Sequence, residues 1–168
     1  MGIKKMIRLL LVGLSLLVWG CVSAPVATVE SGQPAASDKK VLVATQKSQF
    51  KQAVVSEIYD RLKQKDIYLK IIDVNGLKRQ PTAEYSAIII INRCMAGRPD
   101  PRVESFIDRE PRKDKLIVLT TGIRDSWTPD TPGVDAMTSA SVLDKSDQVA
   151  RLIAERVLTK VTSKDPTP

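Results

Sequence analysis

Several polar residues with the chemistry to bind a ligand stand directly after apolar runs of the sequence. They include hydroxyl groups and amides that form hydrogen bonds, lysine and arginine charges that attract anions, a thiol, and an indole ring that can stack on a planar ligand. In chain order, the candidate ligand-binding residues are Gln46, Lys47, Ser48, Gln49, Asn92, Arg93, Cys94, Gly97, Thr121, Gly122 and Trp127. Cys94 is either a redox-active thiol or, as we favour, a small buried residue that closes a sheet.

The composition excludes many common catalytic and metal sites. The chain contains no histidine, which rules out histidine triads, histidine metal ligands and histidine proton shuttles. The sequence also has no P-loop, serine elbow or metal-ligand cluster. The acids Asp100, Glu104, Asp125 and Asp130 have the spacing expected of solvated surface residues. We therefore predict no catalytic residue and no metal site.

The start of the chain has the layout of a secretory signal. Three basic residues precede an apolar run from Leu9 to Trp19, and this run is shorter than the roughly 20 residues that a helix needs to span a bilayer. The run leads into Leu-Val-Trp-Gly-Cys at residues 17–21, which resembles the lipobox of bacterial lipoproteins. The resemblance implies removal of residues 1–20 as a signal peptide and acylation of Cys21. The alternative is an ordinary signal peptide with an incidental cysteine.

A lipidated Cys21 implies attachment to a membrane in the cell envelope. The next residue is valine, whereas aspartate there is typical of inner-membrane retention, so the expected location is the outer membrane, facing the periplasm. Without the three basic residues of the signal, 23 Lys and Arg stand against 19 Asp and Glu, an excess of four. So small an excess does not indicate a nucleic-acid partner, although it could favour an anionic ligand. The expected partners are the membrane itself, through the lipid, and an envelope protein.

The remaining chain is predicted to hold one domain. Residues 21–39 comprise the lipidated cysteine and a flexible tether rich in Ala, Ser, Pro, Gly and Val, residues 40–162 form the domain, and residues 163–168 form a disordered tail. Apolar runs and helical spacing predict strands over 40–45, 67–74, 85–91, 115–121 and 134–140, and helices over 50–64, 103–107 and 146–161. The predicted class is α/β, with a parallel sheet of about five strands and helices on both faces.

The order and spacing of these elements over residues 40–161 resemble the flavodoxin-like superfamily. The resemblance implies the sheet order 2-1-3-4-5, a ligand crevice at the carboxyl ends of strands 1, 3 and 4, and FMN as a possible cofactor. The stretch from Thr121 to Trp127 is similar to the flavodoxin loop that stacks an aromatic ring on the flavin, and residues 92–98 would approach one side of that ring. About a dozen residues separate strands 4 and 5, so their crossover is predicted to be reduced.

The loop after the first strand departs from the flavodoxin pattern. In that pattern the residues T/S-x-T-G-x-T surround the FMN phosphate with hydroxyls and backbone amides. Among the matching residues here only Ser48 keeps a hydroxyl, and Gln49 replaces the glycine that permits a left-handed backbone. The phosphate cradle is therefore predicted to be lost, with Lys47 and Lys51 as a partial replacement through their charge.

Two functions fit these observations. In the first, which the altered loop favours, the protein is a membrane-tethered envelope lipoprotein whose divergent flavodoxin-like domain is a non-catalytic binding or interaction module and requires no cofactor. In the second, which Trp127 and its loop favour, the protein is an FMN-binding electron-transfer protein or a flavin-dependent reductase in the periplasm.

Overall fold

A computed structural model describes residues 26–32, 37–94, 98–122 and 131–162. Of the site residues and acids singled out in the sequence, Cys21, Gly97, Asp125, Trp127 and Asp130 lie outside this range. The described residues form six strands in one sheet with α-helices on both faces, so the predicted α/β class is confirmed. Within this part of the chain, no helix has the length and apolar character needed to cross a membrane.

The sheet is mostly parallel. Its strands are β1 (Val29–Ser31), β2 (Lys40–Thr45), β3 (Tyr68–Asp73), β4 (Ala87–Arg93), β5 (Leu116–Gly122) and β6 (Asp135–Ala140). The α-helices are α1 (Gln49–Leu62), α2 (Pro101–Arg109) and α3 (Ser146–Thr162), and a 3-10 helix covers Val74–Arg79. The strand order is β1-β3-β2-β4-β5-β6, in which β1 is antiparallel to β3 and all other neighbours are parallel. The five parallel strands therefore have the predicted order 2-1-3-4-5.

The central strands are apolar on both faces because each face packs against helices. In β4, Ile89 and Ile91 join the core formed with α1 and α3, whereas Ile88 and Ile90 join the core formed with α2 and the 3-10 helix. All four side chains are fully buried. Successive residues of a strand point to opposite faces, so this run of isoleucines supplies both cores at once.

The structure differs from the sequence prediction at the start of the domain, where the expected tether contributes a strand. β1 lies along β3, with Glu30 opposite Lys70 and their side-chain charges 3.1 Å apart. The Val26 amide also donates a hydrogen bond to Asp73 Oδ2 at 3.1 Å. β1 covers the edge of β3, whose backbone groups would otherwise be open to pairing with another chain. The sheet therefore has six strands rather than about five, and the ordered domain starts before residue 40.

The connection between β5 and β6 is only partly described. Residues 123–130 lie outside the described range, and so does most of the crossover that the sequence predicts to be reduced. The predicted fifth parallel strand is present as β6, in register with β5 so that Met137 lies opposite Leu119. The predicted signal peptide, residues 1–20, and the predicted tail, residues 163–168, also fall outside the described residues.

Candidate functional site

The carboxyl ends of β2, β4, β5 and β6 meet at one edge of the sheet, and a pocket of about 550 Å³ opens there. Its volume is in the usual range of small-molecule sites. The lining residues are Ser48, Gln49, Phe50, Lys51, Arg93, Cys94, Thr121, Gly122, Ala140, Ser141 and Val142. They include six of the ligand-binding residues proposed from the sequence, namely Ser48, Gln49, Arg93, Cys94, Thr121 and Gly122. The parallel sheet therefore brings together residues from the carboxyl ends of four strands.

The loop after β2 is short and leads directly into α1. The strand ends at Thr45 and the helix begins at Gln49. Ser48 is the N-cap residue: its backbone is extended, with φ −162° and ψ 159°, and its Oγ accepts a hydrogen bond from the Lys51 amide at 3.2 Å. Serine suits this position because its oxygen satisfies an amide that has no partner within the helix. Lys47 is exposed and is not one of the residues that line the pocket.

Gln46 joins three segments at this edge of the sheet. Its Nε2 donates to Asp100 Oδ2 at 2.6 Å, and its Oε1 accepts from the Arg93 amide at 3.0 Å. Asp100 is also the N-cap of α2 and accepts from Arg102 Nε at 2.7 Å. Both polar ends of the Gln46 side chain are therefore used within the protein, so this residue positions the loops and does not line the pocket.

The expectation that Asp100 is a solvated acid is wrong, because only 8% of its surface is exposed. The hydrogen bond from the Arg102 guanidinium holds the pKa of Asp100 below its ordinary value. The sequence does carry a signal for this role. Asp100 is followed by Pro101, and aspartate at the N-cap with proline at the first helical position is a common helix start.

Asn92 lies on the opposite face of β4 from the pocket residue Arg93, because neighbouring residues of a strand alternate between faces. Asn92 is fully buried. Its Nδ2 donates to Leu119 O at 3.3 Å and to Thr120 Oγ1 at 3.1 Å. Among the described residues its Oδ1 has no hydrogen-bond partner. The structure therefore places Asn92 between β4 and β5 on the side of α2, away from the pocket.

The burial of Lys51 is the property of the pocket that sequence reasoning missed. Only 4% of the Lys51 surface is exposed. The residue begins the buried stripe of α1 that continues with Val54, Ile58 and Leu62, and this spacing turns its side chain towards the sheet. That stripe is the signal by which the burial could have been predicted. Burial, assisted by the nearby charge of Arg93, lowers the pKa of Lys51 to about 8 from its ordinary value of 10.5.

We expect the free energy of unfolding to pass through a maximum near pH ~10. Lys51 binds its proton less tightly in the folded protein than in the unfolded chain. Its unfavourable contribution is therefore relieved as the pH rises from ~8 to ~10.5, by about 3 kcal/mol in all. Burial raises the pKa of Tyr68 and of Tyr85 to about 12. The unfolded chain thus loses these protons first, and stability falls above pH ~10.

Urea unfolding of the wild type and of Lys51→Met over this pH range measures the effect. The variant has no lysine charge at position 51. We therefore expect its free energy of unfolding not to rise between pH ~8 and ~10, and still to fall above pH ~10. The exposed Lys47 is the matched control, and Lys47→Met is expected to keep the whole profile. If the free energy of unfolding of Lys51→Met still rises between pH ~8 and ~10, the rise does not come from Lys51.

Comparison with known proteins shows the fold. No protein-family model and no curated protein matches this sequence. Among solved structures, oxidised Flavodoxin 2 from Bacillus cereus is 14% identical with a TM-score of 0.51, and the match covers 72% of this chain and 99% of that one. A flavodiiron core from Synechocystis is 9% identical with a TM-score of 0.57, and the match covers 78% of this chain and 38% of that one. The flavodiiron protein from Giardia intestinalis is 9% identical with a TM-score of 0.51, over 75% of this chain and 37% of that one.

At identities this low the similarity shows the fold alone. The match extends over nearly the full length of the Bacillus flavodoxin but over little more than a third of each flavodiiron chain. The order of the five parallel strands, with helices on both faces, agrees with this similarity. The protein therefore has a flavodoxin-like fold.

Proposed function

We propose that this protein is a lipid-anchored lipoprotein of the cell envelope, and that its flavodoxin-like domain is a non-catalytic binding or interaction module without a resident flavin. The fold supports kinship with flavin-binding electron-transfer proteins. The lipobox-like sequence that ends at Cys21 supports the anchor, with the outer membrane as the membrane and the periplasm as the compartment that the domain faces. The altered loop between β2 and α1 separates the domain from the flavodoxins.

The observation that carries this proposal is the backbone of residues 46–49. None of these residues has a positive φ; among the described residues, positive φ occurs at Gly32, Asp66 and Gly133. A phosphate-binding nest requires a left-handed residue next to a right-handed one, so that successive amides point to the same centre. The Gln46 side chain is also engaged within the protein. The described residues therefore do not fit the FMN phosphate in the way that the flavodoxin pattern requires.

The position of β1 supports a domain that is held close to the membrane. Five residues lead from Cys21 to Val26, the first described residue, and a fully extended chain of that length spans at most about 18 Å. Val26 is already hydrogen-bonded to Asp73 at the end of β3. A lipid on Cys21 would thus keep the domain near the membrane surface, where an envelope protein or a small periplasmic molecule can reach it.

The second candidate function is an FMN-binding electron-transfer protein or a flavin-dependent reductase. The pocket favours it, because ligands of this fold class bind at the carboxyl ends of the strands where the strand order reverses. Thr121 and Gly122 line the pocket directly before residues 123–127, which resemble the flavin-stacking loop of flavodoxins.

An FMN titration distinguishes the two functions. We expect no saturable quenching of flavin fluorescence when the full chain, purified in detergent, is added to FMN up to micromolar concentrations, because the loop lacks the backbone nest. Riboflavin, which lacks the phosphate, is the matched ligand control. Saturable quenching by the wild type that is lost in Trp127→Ala would establish the second function and reject the first.

A further inference from the structure

Lys51 places a positive charge at a buried position in the pocket, where the described part of the chain offers no carboxylate to pair with it. The residue lines the pocket with 4% of its surface exposed. Among the described residues, no carboxylate forms an ion pair with it, and the one charged group that acts on it is Arg93, which is also positive. Removing an ammonium group from water is costly unless a partner compensates the charge.

Another buried lysine of this protein shows what such compensation looks like. Lys115 is 6% exposed, and its Nζ lies 3.7 Å from Glu110 Oε1. The same Nζ donates a hydrogen bond to Thr82 O. Lys115 lies at the amino end of β5, whereas Lys51 lies at the carboxyl edge of the sheet, in the pocket. Lys115 is thus paired with a carboxylate, whereas no carboxylate of the described residues pairs with the pocket residue Lys51.

The described groups around Lys51 would attract an anion into the pocket. The described lining residues of the pocket include no Asp or Glu, and Arg93 adds a second positive charge. The first turn of α1 has no acidic residue. The first intrahelical hydrogen bond runs from the Gln52 amide to Ser48 O, so the amides of Gln49 and Phe50 have no acceptor within the helix. They lie at the positive end of the helix dipole. The Ser48 hydroxyl accepts from the Lys51 amide and keeps its own proton free to donate.

We propose that this pocket binds an oxyanion group, a phosphate or a carboxylate, of a small molecule, and that Lys51 supplies its counter-charge. This inference rests on the proposed binding function and gives the chemistry of the ligand. The ammonium group of a lysine is a compact charge, so it can bind an oxyanion without a ring of backbone amides around it. Arg93, exposed beside the pocket, adds attraction at its edge.

The test is thermal unfolding of the full chain in inorganic phosphate, compared with chloride at equal ionic strength. Phosphate stabilises proteins generally by exclusion from their surfaces, so the measured quantity is the difference between the wild type and Lys51→Met. We expect the wild type to gain roughly 3 °C or more beyond that general effect, with a saturable dependence on phosphate. Acetate in place of phosphate shows which oxyanion the pocket prefers, and a Lys51-dependent response to either supports the proposal.

Lys51→Met removes the unpaired charge and keeps a side chain of similar shape. We therefore expect it to melt at a higher temperature than the wild type without phosphate, and to show only the general response to phosphate. Lys47→Met, which changes an exposed lysine four residues earlier, is expected to respond like the wild type. Equal responses in the wild type and Lys51→Met would overturn the proposal.

Arg93→Ala provides a second variant that does not disturb the core, because the Arg93 side chain is exposed. Without phosphate we expect it to melt no lower than the wild type, because a positive charge that acts on Lys51 is removed. With phosphate we expect it to lose at least half of the phosphate-dependent shift. If phosphate raises the melting temperature of Arg93→Ala as much as that of the wild type, phosphate does not bind in this pocket. The two proposals fail separately: saturable FMN binding rejects the proposed function, whereas a phosphate response that does not depend on Lys51 rejects only this inference.

Discussion

Replacing Ile89 by alanine is expected to lower the free energy of unfolding by about 2–5 kcal/mol. Ile89 is fully buried in the middle of β4, where Val43 of β2 and Ile117 of β5 are its partners in register. The loss combines the transfer free energy of the removed atoms with the cavity that they leave. Because domains of this size are stable by only about 5–15 kcal/mol, the substitution removes a large share of the total. Urea unfolding followed by circular dichroism measures it.

The control for Ile89→Ala is Leu143→Ala, which removes an apolar side chain that is 50% exposed. We expect this change to alter the free energy of unfolding by no more than about 0.5 kcal/mol. If both variants lose the same free energy of unfolding, β4 does not lie at the centre of the sheet. A substitution in a central strand must lower the free energy of unfolding far more than one in an exposed connection.

Replacing Cys21 by serine is expected to abolish attachment of the mature protein to membranes. An acyl chain contributes about 0.8 kcal/mol for each buried methylene group, so a diacylated cysteine is a stable anchor and a serine is none. We expect the variant either to move into the soluble fraction or to retain its signal and migrate as a larger protein. Cell fractionation and gel mobility measure both results.

The matched control is Cys94→Ser, which alters the free cysteine beside the pocket. This variant is expected to fractionate with membranes and to migrate like the wild type. If Cys21→Ser also fractionates and migrates like the wild type, the lipid anchor on Cys21 is rejected.

The parallel strands can be predicted from the sequence because both of their faces are buried. A run such as residues 87–91 contains none of the polar positions that an exposed strand or a surface helix requires. The sheet order is confirmed as well, but the prediction came from the resemblance in the order of the elements. The apolar pattern alone does not state which strands are neighbours.

β1 is not predictable in the same way. It has three residues, of which Val29 is 48% exposed, so it carries no apolar pattern of its own. β1 is held in place by its hydrogen bonds with β3, by the ion pair of Glu30 and by the hydrogen bond of the Val26 amide. Such an edge strand depends on a neighbour that is distant in sequence, and the Ala- and Ser-rich sequence around it is equally compatible with a loop.

The strand order brings several of the predicted residues to one edge of the sheet, but the sequence does not give the directions of their side chains. Asn92 and Arg93 are adjacent in sequence, yet strand geometry places them on opposite faces of β4. Gln46 has the chemistry of a ligand-binding residue, but its hydrogen bonds are made within the protein. The stripe of α1 indicates that Lys51 is buried, but the pocket beside it forms only where α1 packs against the ends of the strands.

The absorption spectrum of the full chain after incubation with excess FMN and removal of free ligand tests the central claim most directly. That claim is that the turn between β2 and α1 cannot seat a phosphoryl group on its own backbone amides. We predict a spectrum of protein alone, without flavin bands in the visible range. Flavin bands retained at one FMN per chain, and lost when the phosphate-free riboflavin is used instead, would contradict the account.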